Sequence, residues 1–261
     1  MPAANAPTPD RNLLEGTSEI DDEAMRSFIA ALPAREATAP TWCPGWSSHE
    51  VVAHVAAAAQ ERADLIEEHL VGRPGRPTRS WEKREPPFRA LPDPQLRQCL
   101  VAEAARFERA VGGMTDDDSV DYTGWAMSAE QLRTHSHSEA SLHRWDLVGD
   151  DEISRRLLAQ PKLTSHALAA FAALPALLEA QRWIDPSFTT GPLRLRSPGQ
   201  PDVLVEPGFG LSLVSPAGRG TVIAMDAHDR LLVLWGRCPA ALRSPSGNPE
   251  TVDDILSRLS G

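Results

Sequence analysis

The segment from Ser128 to Asp150, SAEQLRTHSHSEASLHRWDLVGD, constrains the fold of this chain more than any other. Set on a helix of 3.6 residues per turn, Leu132, His135, Glu139, Leu142, His143 and Asp146 fall along one broad stripe. The two leucines turn that stripe toward a core, and the polar residues go inward with them. A buried carboxylate or imidazole has to be paired, hydrogen-bonded or metal-bound, because an isolated buried charge is costly. The helix must therefore pack among others that bring it polar partners.

Such neighbours can be read upstream. EIDDEAMRSFIAAL (19–32) has apolar residues at helical spacing and stops before Pro33. SSHEVVAHVAAAAQERADLIEEHL begins at Ser47, whose spacing to Glu50 is that of a capping box. A third helix, PQLRQCLVAEAARFERAV, ends at Gly112 and Gly113, and the fourth starts at Ser128, whose spacing to Gln131 repeats the box. Between the second and third helices, Pro74, Pro77, Pro86, Pro87, Pro92 and Pro94 with Gly72 and Gly75 exclude a regular element through most of residues 71–94. An excursion of that length more often covers a site than merely joins helices. Four helices over residues 19 to about 150 suit an antiparallel bundle.

Beyond Pro161 the texture changes. One apolar helix, LTSHALAAFAALPALLEAQRW, precedes the β-like runs LRLRS, DVLVEP, LSLVS and TVIAMD, separated by Pro and Gly. DRLLVLWGR (229–237) reads as a helix by its length and by Asp229 in the cap position, and Asn248 with Pro249 opens a last helix. The expected class is α+β: a four-helix bundle over residues 1–160, then a smaller α/β domain with a short sheet over residues 161–261. No internal repeat interrupts this plan.

At 261 residues the chain can bury two cores without disulfides, and its three cysteines show no CxxC spacing, which disfavours a disulfide framework or a thiolate zinc site. A formal net charge of -10 argues against nucleic acid and anionic membranes as partners. No apolar run approaches the roughly 20 residues that span a bilayer, and the first residues lack a secretory pattern. The expectation is a cytoplasmic monomer or homodimer acting on small molecules. Lys83 and Lys162 are the only lysines among 26 basic residues, an arginine bias typical of G+C-rich genomes.

On the second helix His54 lies among Val51, Val55 and Ala58, on the core-facing stripe. His54, Glu139 and His143 together would make a two-histidine, one-carboxylate set able to hold zinc and leave a position open. Glu139 and His143 are one turn apart, roughly 6 Å at Cβ. His135, a turn earlier, competes as a ligand, whereas His137, His49 and His69 fall off the stripe and are expected to be solvated. Pattern alone leaves a second reading open, in which these are core histidines bonded to carbonyls on a polar helix face.

The order WCPGW with His54 after it, then EASLHRWD, then LLVLWGR near the end, resembles the mycothiol-dependent maleylpyruvate isomerase family. That resemblance implies a DinB-like four-helix bundle in the amino-terminal half, with His54, Glu139 and His143 as zinc ligands. It also implies an arginine, here Arg237, that holds or polarises substrate, although a helix-end arginine would look the same. Asp146, one turn past His143, is placed either to fix a ligand ring or simply to lie at the surface. No cysteine adjoins the three ligands, so the thiol would come from outside, and the resemblance names mycothiol.

The implied activity is a zinc-dependent S-transferase or cis–trans isomerase that activates mycothiol as a metal-bound thiolate toward an electrophilic small molecule. No residue is assigned to binding the thiol. Residues 71–94, where substrate contacts are expected, match nothing in the family pattern, and His135 and His137 find no role in it. Two rivals remain: a zinc hydrolase with Asp146 or Glu50 as general base, weakened by the lack of HExxH, and a non-catalytic binding module.

Overall fold

The computed structural model describes residues 16–174, 192–206 and 210–237. The chain divides into two compact units, residues 1–154 and 155–261. Among the described residues no helix is long and apolar enough to cross a membrane.

The first unit is built on four helices, α1 (Glu23–Ala31), α2 (Ser48–Leu70), α5 (Asp93–Gly112) and α6 (Ala129–Val148). Each begins as its sequence dictates. Asp22 caps α1 by accepting from the Ala24 amide, and complete capping boxes, Ser47 with Glu50 and Ser128 with Gln131, open α2 and α6. Pro94 stands in the first turn of α5, where an absent N–H costs nothing. The most extensive pairing is α2 with α5, followed by α1 with α6 and α2 with α6. Phe28, Ile29, Val51, Ile66, Leu96, Leu100, Val111 and Leu132 form the fully buried interior. Removing one cap tests how much of this is local: Ser128→Ala is expected to cost about 1 kcal/mol, read as a lowered urea midpoint, and an unchanged midpoint would show that packing alone holds the start of α6.

The Pro-rich excursion is more ordered than the sequence suggests. Two one-turn helices, α3 (Trp81–Arg84) and α4 (Pro86–Arg89), lie inside it. The correction has a simple cause, since Pro86 and Pro87 occupy the first turn of α4, the one helical place that tolerates proline. The loop before them is fastened to α2. Glu61, fully buried, accepts from Arg76 Nη1 at 2.6 Å and from the Arg79 amide at 2.7 Å, and Arg79 Nε also donates to it.

A hairpin absent from the sequence expectation, β1 (Val120–Tyr122) with β2 (Trp125–Met127), joins α5 to α6. Its two turn residues, Thr123 and Gly124, have φ of +60° and +92°, the positive values that a tight two-residue hairpin requires. The Thr123 amide donates to Thr78 Oγ1 at 2.7 Å, which ties this turn to the excursion.

Helix α7 (Glu152–Leu158), also not expected, spans the junction between the units. In the second unit α8 (Pro161–Ala173) realises the expected apolar helix, whose anticipated continuation to residue 183 lies outside the described residues beyond 174. The four β-like runs form β3 (Leu193–Arg196), β4 (Asp202–Glu206), β5 (Gly210–Val214) and β6 (Thr221–Ala224). They assemble as one sheet in the order β5-β4-β3-β6, antiparallel except for the parallel β3–β6 pair. Helix α9 (Ala227–Leu234) follows, with Asp226 rather than Asp229 at its N-cap. The helix anticipated after Asn248 lies outside the described residues.

Candidate metal centre

Three donor atoms meet between α2 and α6. Nε2 of His54 is 3.5 Å from Oε2 of Glu139, and Nε2 of His143 is 3.8 Å from the same oxygen. The histidine rings face each other nearly edge-on, with centroids 4.9 Å apart. One donor atom from each of His54, Glu139 and His143 lies within 4.8 Å of the other two. Donors about 2.0–2.1 Å from a tetrahedral zinc stand roughly 3.3 Å apart, so the 3.5 and 3.8 Å separations to Glu139 lie near that spacing.

Each imidazole is fixed through its other nitrogen. His54 Nδ1 lies 2.7 Å from Glu85 Oε1, and His143 Nδ1 lies 2.9 Å from Asp146 Oδ2. Both carboxylates are almost wholly buried. A carboxylate at Nδ1 holds the proton there, leaves the Nε2 lone pair facing the cluster, and locks the ring orientation, as partners of metal-bound histidines do. Asp146 thus stands where the sequence places it, beside the His143 ring.

Glu85 is the residue the sequence reading misses. It sits between the two one-turn helices of the excursion, and its other oxygen accepts from Arg89 Nη2 at 2.8 Å and Nε at 3.2 Å. Arg89 in turn donates to Glu50 and lies over the Trp46 ring, whose neighbour is the His54 ring, 5.3 Å away. The only signal available was indirect: a loop too long for a plain connector.

Electrostatics follow from these contacts. Burial disfavours a charged His54, yet Glu139 and Glu85 beside it outweigh that and raise its pKa. Burial likewise acts to raise Glu139, but His54, His135 and His143 hold its carboxyl well below the usual range. The cluster therefore keeps a carboxylate ready to bind a cation.

The remaining histidines and candidate bases have their own partners. His135 is buried and packs edge-on against Tyr122, with centroids 5.3 Å apart. His137 corrects an expectation: it is buried, and its Nδ1 lies 2.6 Å from Asp22 Oδ1, because α1 covers the side of α6 opposite the cluster. His49 is half-buried between Asp93 and the Arg89 carbonyl, and the more exposed His69 pairs with Asp118. Glu50 Oε2 accepts from the Ser47 amide and hydroxyl, both at 2.8 Å, which lowers its pKa against the effect of burial. Arg237 belongs to the second unit, just past α9, where Nη1 donates to the Trp235 carbonyl at 2.8 Å.

The chain is thus a helical bundle with a converging His–Glu–His set, continued by an α/β unit. Through residues 19–148 the chain belongs to the mycothiol maleylpyruvate isomerase N-terminal domain family. Two solved structures share the fold. The mycothiol-dependent maleylpyruvate isomerase aligns with a TM-score of 0.53 at 20% identity, covering 88% of this chain and 88% of the other. A histidine-to-alanine mutant of the mycothiol-dependent maleylpyruvate isomerase aligns with a TM-score of 0.55 at 18% identity, covering 88% and 90% respectively. No curated protein sequence matches.

Proposed function

We propose that the chain is a zinc-dependent enzyme that uses a small thiol, mycothiol, against an electrophilic small molecule, as an S-transferase or a cis–trans isomerase. The observation that carries this reading is the convergence of His54 Nε2, Glu139 Oε2 and His143 Nε2, each histidine backed at Nδ1 by a buried carboxylate. His54, Glu139 and His143 would hold a divalent ion, and such an ion would supply the positive charge that makes an external thiol ionise near neutral pH. The chain's own residues do the rest. Glu85 and Asp146 engage the Nδ1 atoms and so aim each Nε2 at the cluster, and Trp46 flanks it beside His54.

Membership of a family described by mycothiol maleylpyruvate isomerase supports the thiol and the isomerase chemistry. The hydrolase rival is less favoured, because its two candidate bases are already engaged: Glu50 by Ser47 and Arg89, Asp146 by His143.

Elemental analysis tests the metal directly on wild type, His54→Ala and His143→Ala, each purified without added zinc. About one zinc per chain in wild type and none in either variant is the expected result. A folded wild type that refuses added zinc would remove the basis for thiol activation.

A further inference from the structure

A cleft of about 740 Å³ opens between the excursion and the β1–β2 turn, lined by Thr78, Ser80, Trp81, Arg84, Asp121 and Thr123 among others. Its three arginines differ in kind. Arg76 is committed to Glu61 and Glu68, and Arg79 to Glu61 and Asp64. Arg84 forms no ion pair among the described residues. Its Nη1 donates to the Tyr122 hydroxyl at 3.3 Å, and its buried Nε finds no acceptor. Asp121 does not fill that role, since its Oδ1 accepts from the Gly124 amide at 3.0 Å within the turn.

A second guanidinium contacts the same tyrosine. Arg62 is 1% exposed, and neither its Nε nor its Nη1 has an acceptor among the described residues. It is held between aromatic faces, 5.3 Å from the Phe107 centroid and 5.5 Å from that of Tyr122. Two arginines with unfilled donors therefore bracket Tyr122. Burying cations without acceptors is unfavourable unless an anion completes them. Arg84 immediately precedes Glu85, whose carboxylate lies 2.7 Å from His54 Nδ1, so the arginine of this cleft is the chain neighbour of a residue that supports the metal cluster.

Resting on the functional reading above, we propose that Arg84 is the specificity residue of this site: it anchors a carboxylate of the electrophilic ligand in the cleft between the excursion and the β1–β2 turn, with Arg62 reinforcing the positive field behind Tyr122. A planar guanidinium with open N–H donors matches a carboxylate in geometry as well as charge. Trp81, 54% exposed at the rim, offers the remainder of such a ligand an apolar surface.

Succinate and its uncharged analogue succinamide serve as probes, titrated by calorimetry into zinc-loaded and metal-free protein. Succinate is expected to bind both forms. Arg84→Met should weaken that binding about ten-fold or more, Arg84→Lys should restore part of it, and Lys83→Met, which removes an exposed neighbouring charge, should leave it unchanged. Succinamide should bind far more weakly. Equal affinities for Arg84→Met and Lys83→Met, no binding to wild type, or binding only to the zinc-loaded form would each overturn the proposal, the last because the carboxylate would then sit on the metal. Zinc content of the same preparations reads the metal assignment separately, so either claim can fail alone.

Discussion

Replacing Glu85 by alanine is expected to lower zinc affinity about ten- to a hundred-fold while leaving the bundle folded. The carboxylate touches no metal donor position; it acts only through His54 Nδ1, 2.7 Å away. Without it the proton is free to move to Nε2, which blocks the lone pair the cluster needs, and the ring loses its fixed orientation. Arg89 keeps its pairing with Glu50 at 2.9 Å, so the surrounding segment retains an anchor. Glu85→Gln, which preserves an acceptor but not the charge, should fall between wild type and alanine. Competition against a chelator of known affinity measures all three, with circular dichroism as the check on folding. Identical affinities would mean that His54 is oriented by packing against Trp46 and not by Glu85.

That the His54–Glu139–His143 group was legible in sequence and Glu85 was not has a physical cause. His54, Glu139 and His143 lie on long helices with clear caps, where periodicity states which face a residue occupies. Glu85 lies between helices of four residues each, too short for any period to show. The same limit hid the hairpin, whose three-residue strands cannot display alternation. In the second unit the strands were readable from their β-rich runs, but the order that places β6 beside β3 depends on long-range pairing that no local pattern carries. His137 failed differently. Helix α6 is covered on more than one side, so a residue off the inward stripe met Asp22 at the start of α1 instead of water.

The excursion has one more dependence on α2, and it leads to the largest expected change in stability. Glu61→Gln is expected to cost about 2–3 kcal/mol at pH 7, since it breaks a fully buried acceptor that gathers Arg76 and Arg79 while leaving both arginines in place, partly open to water. Burial acts to raise the Glu61 pKa, but the bonds from Arg76 and Arg79 prevail and lower it. A carboxyl lowered in the folded state stabilises above its unfolded pKa of about 4.3, and that contribution is lost as pH falls through the folded value. The gap in urea midpoint between wild type and Glu61→Gln should therefore be widest near neutrality and narrow as pH falls below the ordinary carboxylate range. Because the clamped loop leads directly into Arg84 and Glu85, the variant should also bind zinc more weakly than its stability loss alone explains. A pH-independent gap would assign the effect to shape rather than charge. No gap at any pH would mean that the excursion is held by the Thr78–Thr123 contact and its own short helices, and that Glu61 contributes nothing to placing the site.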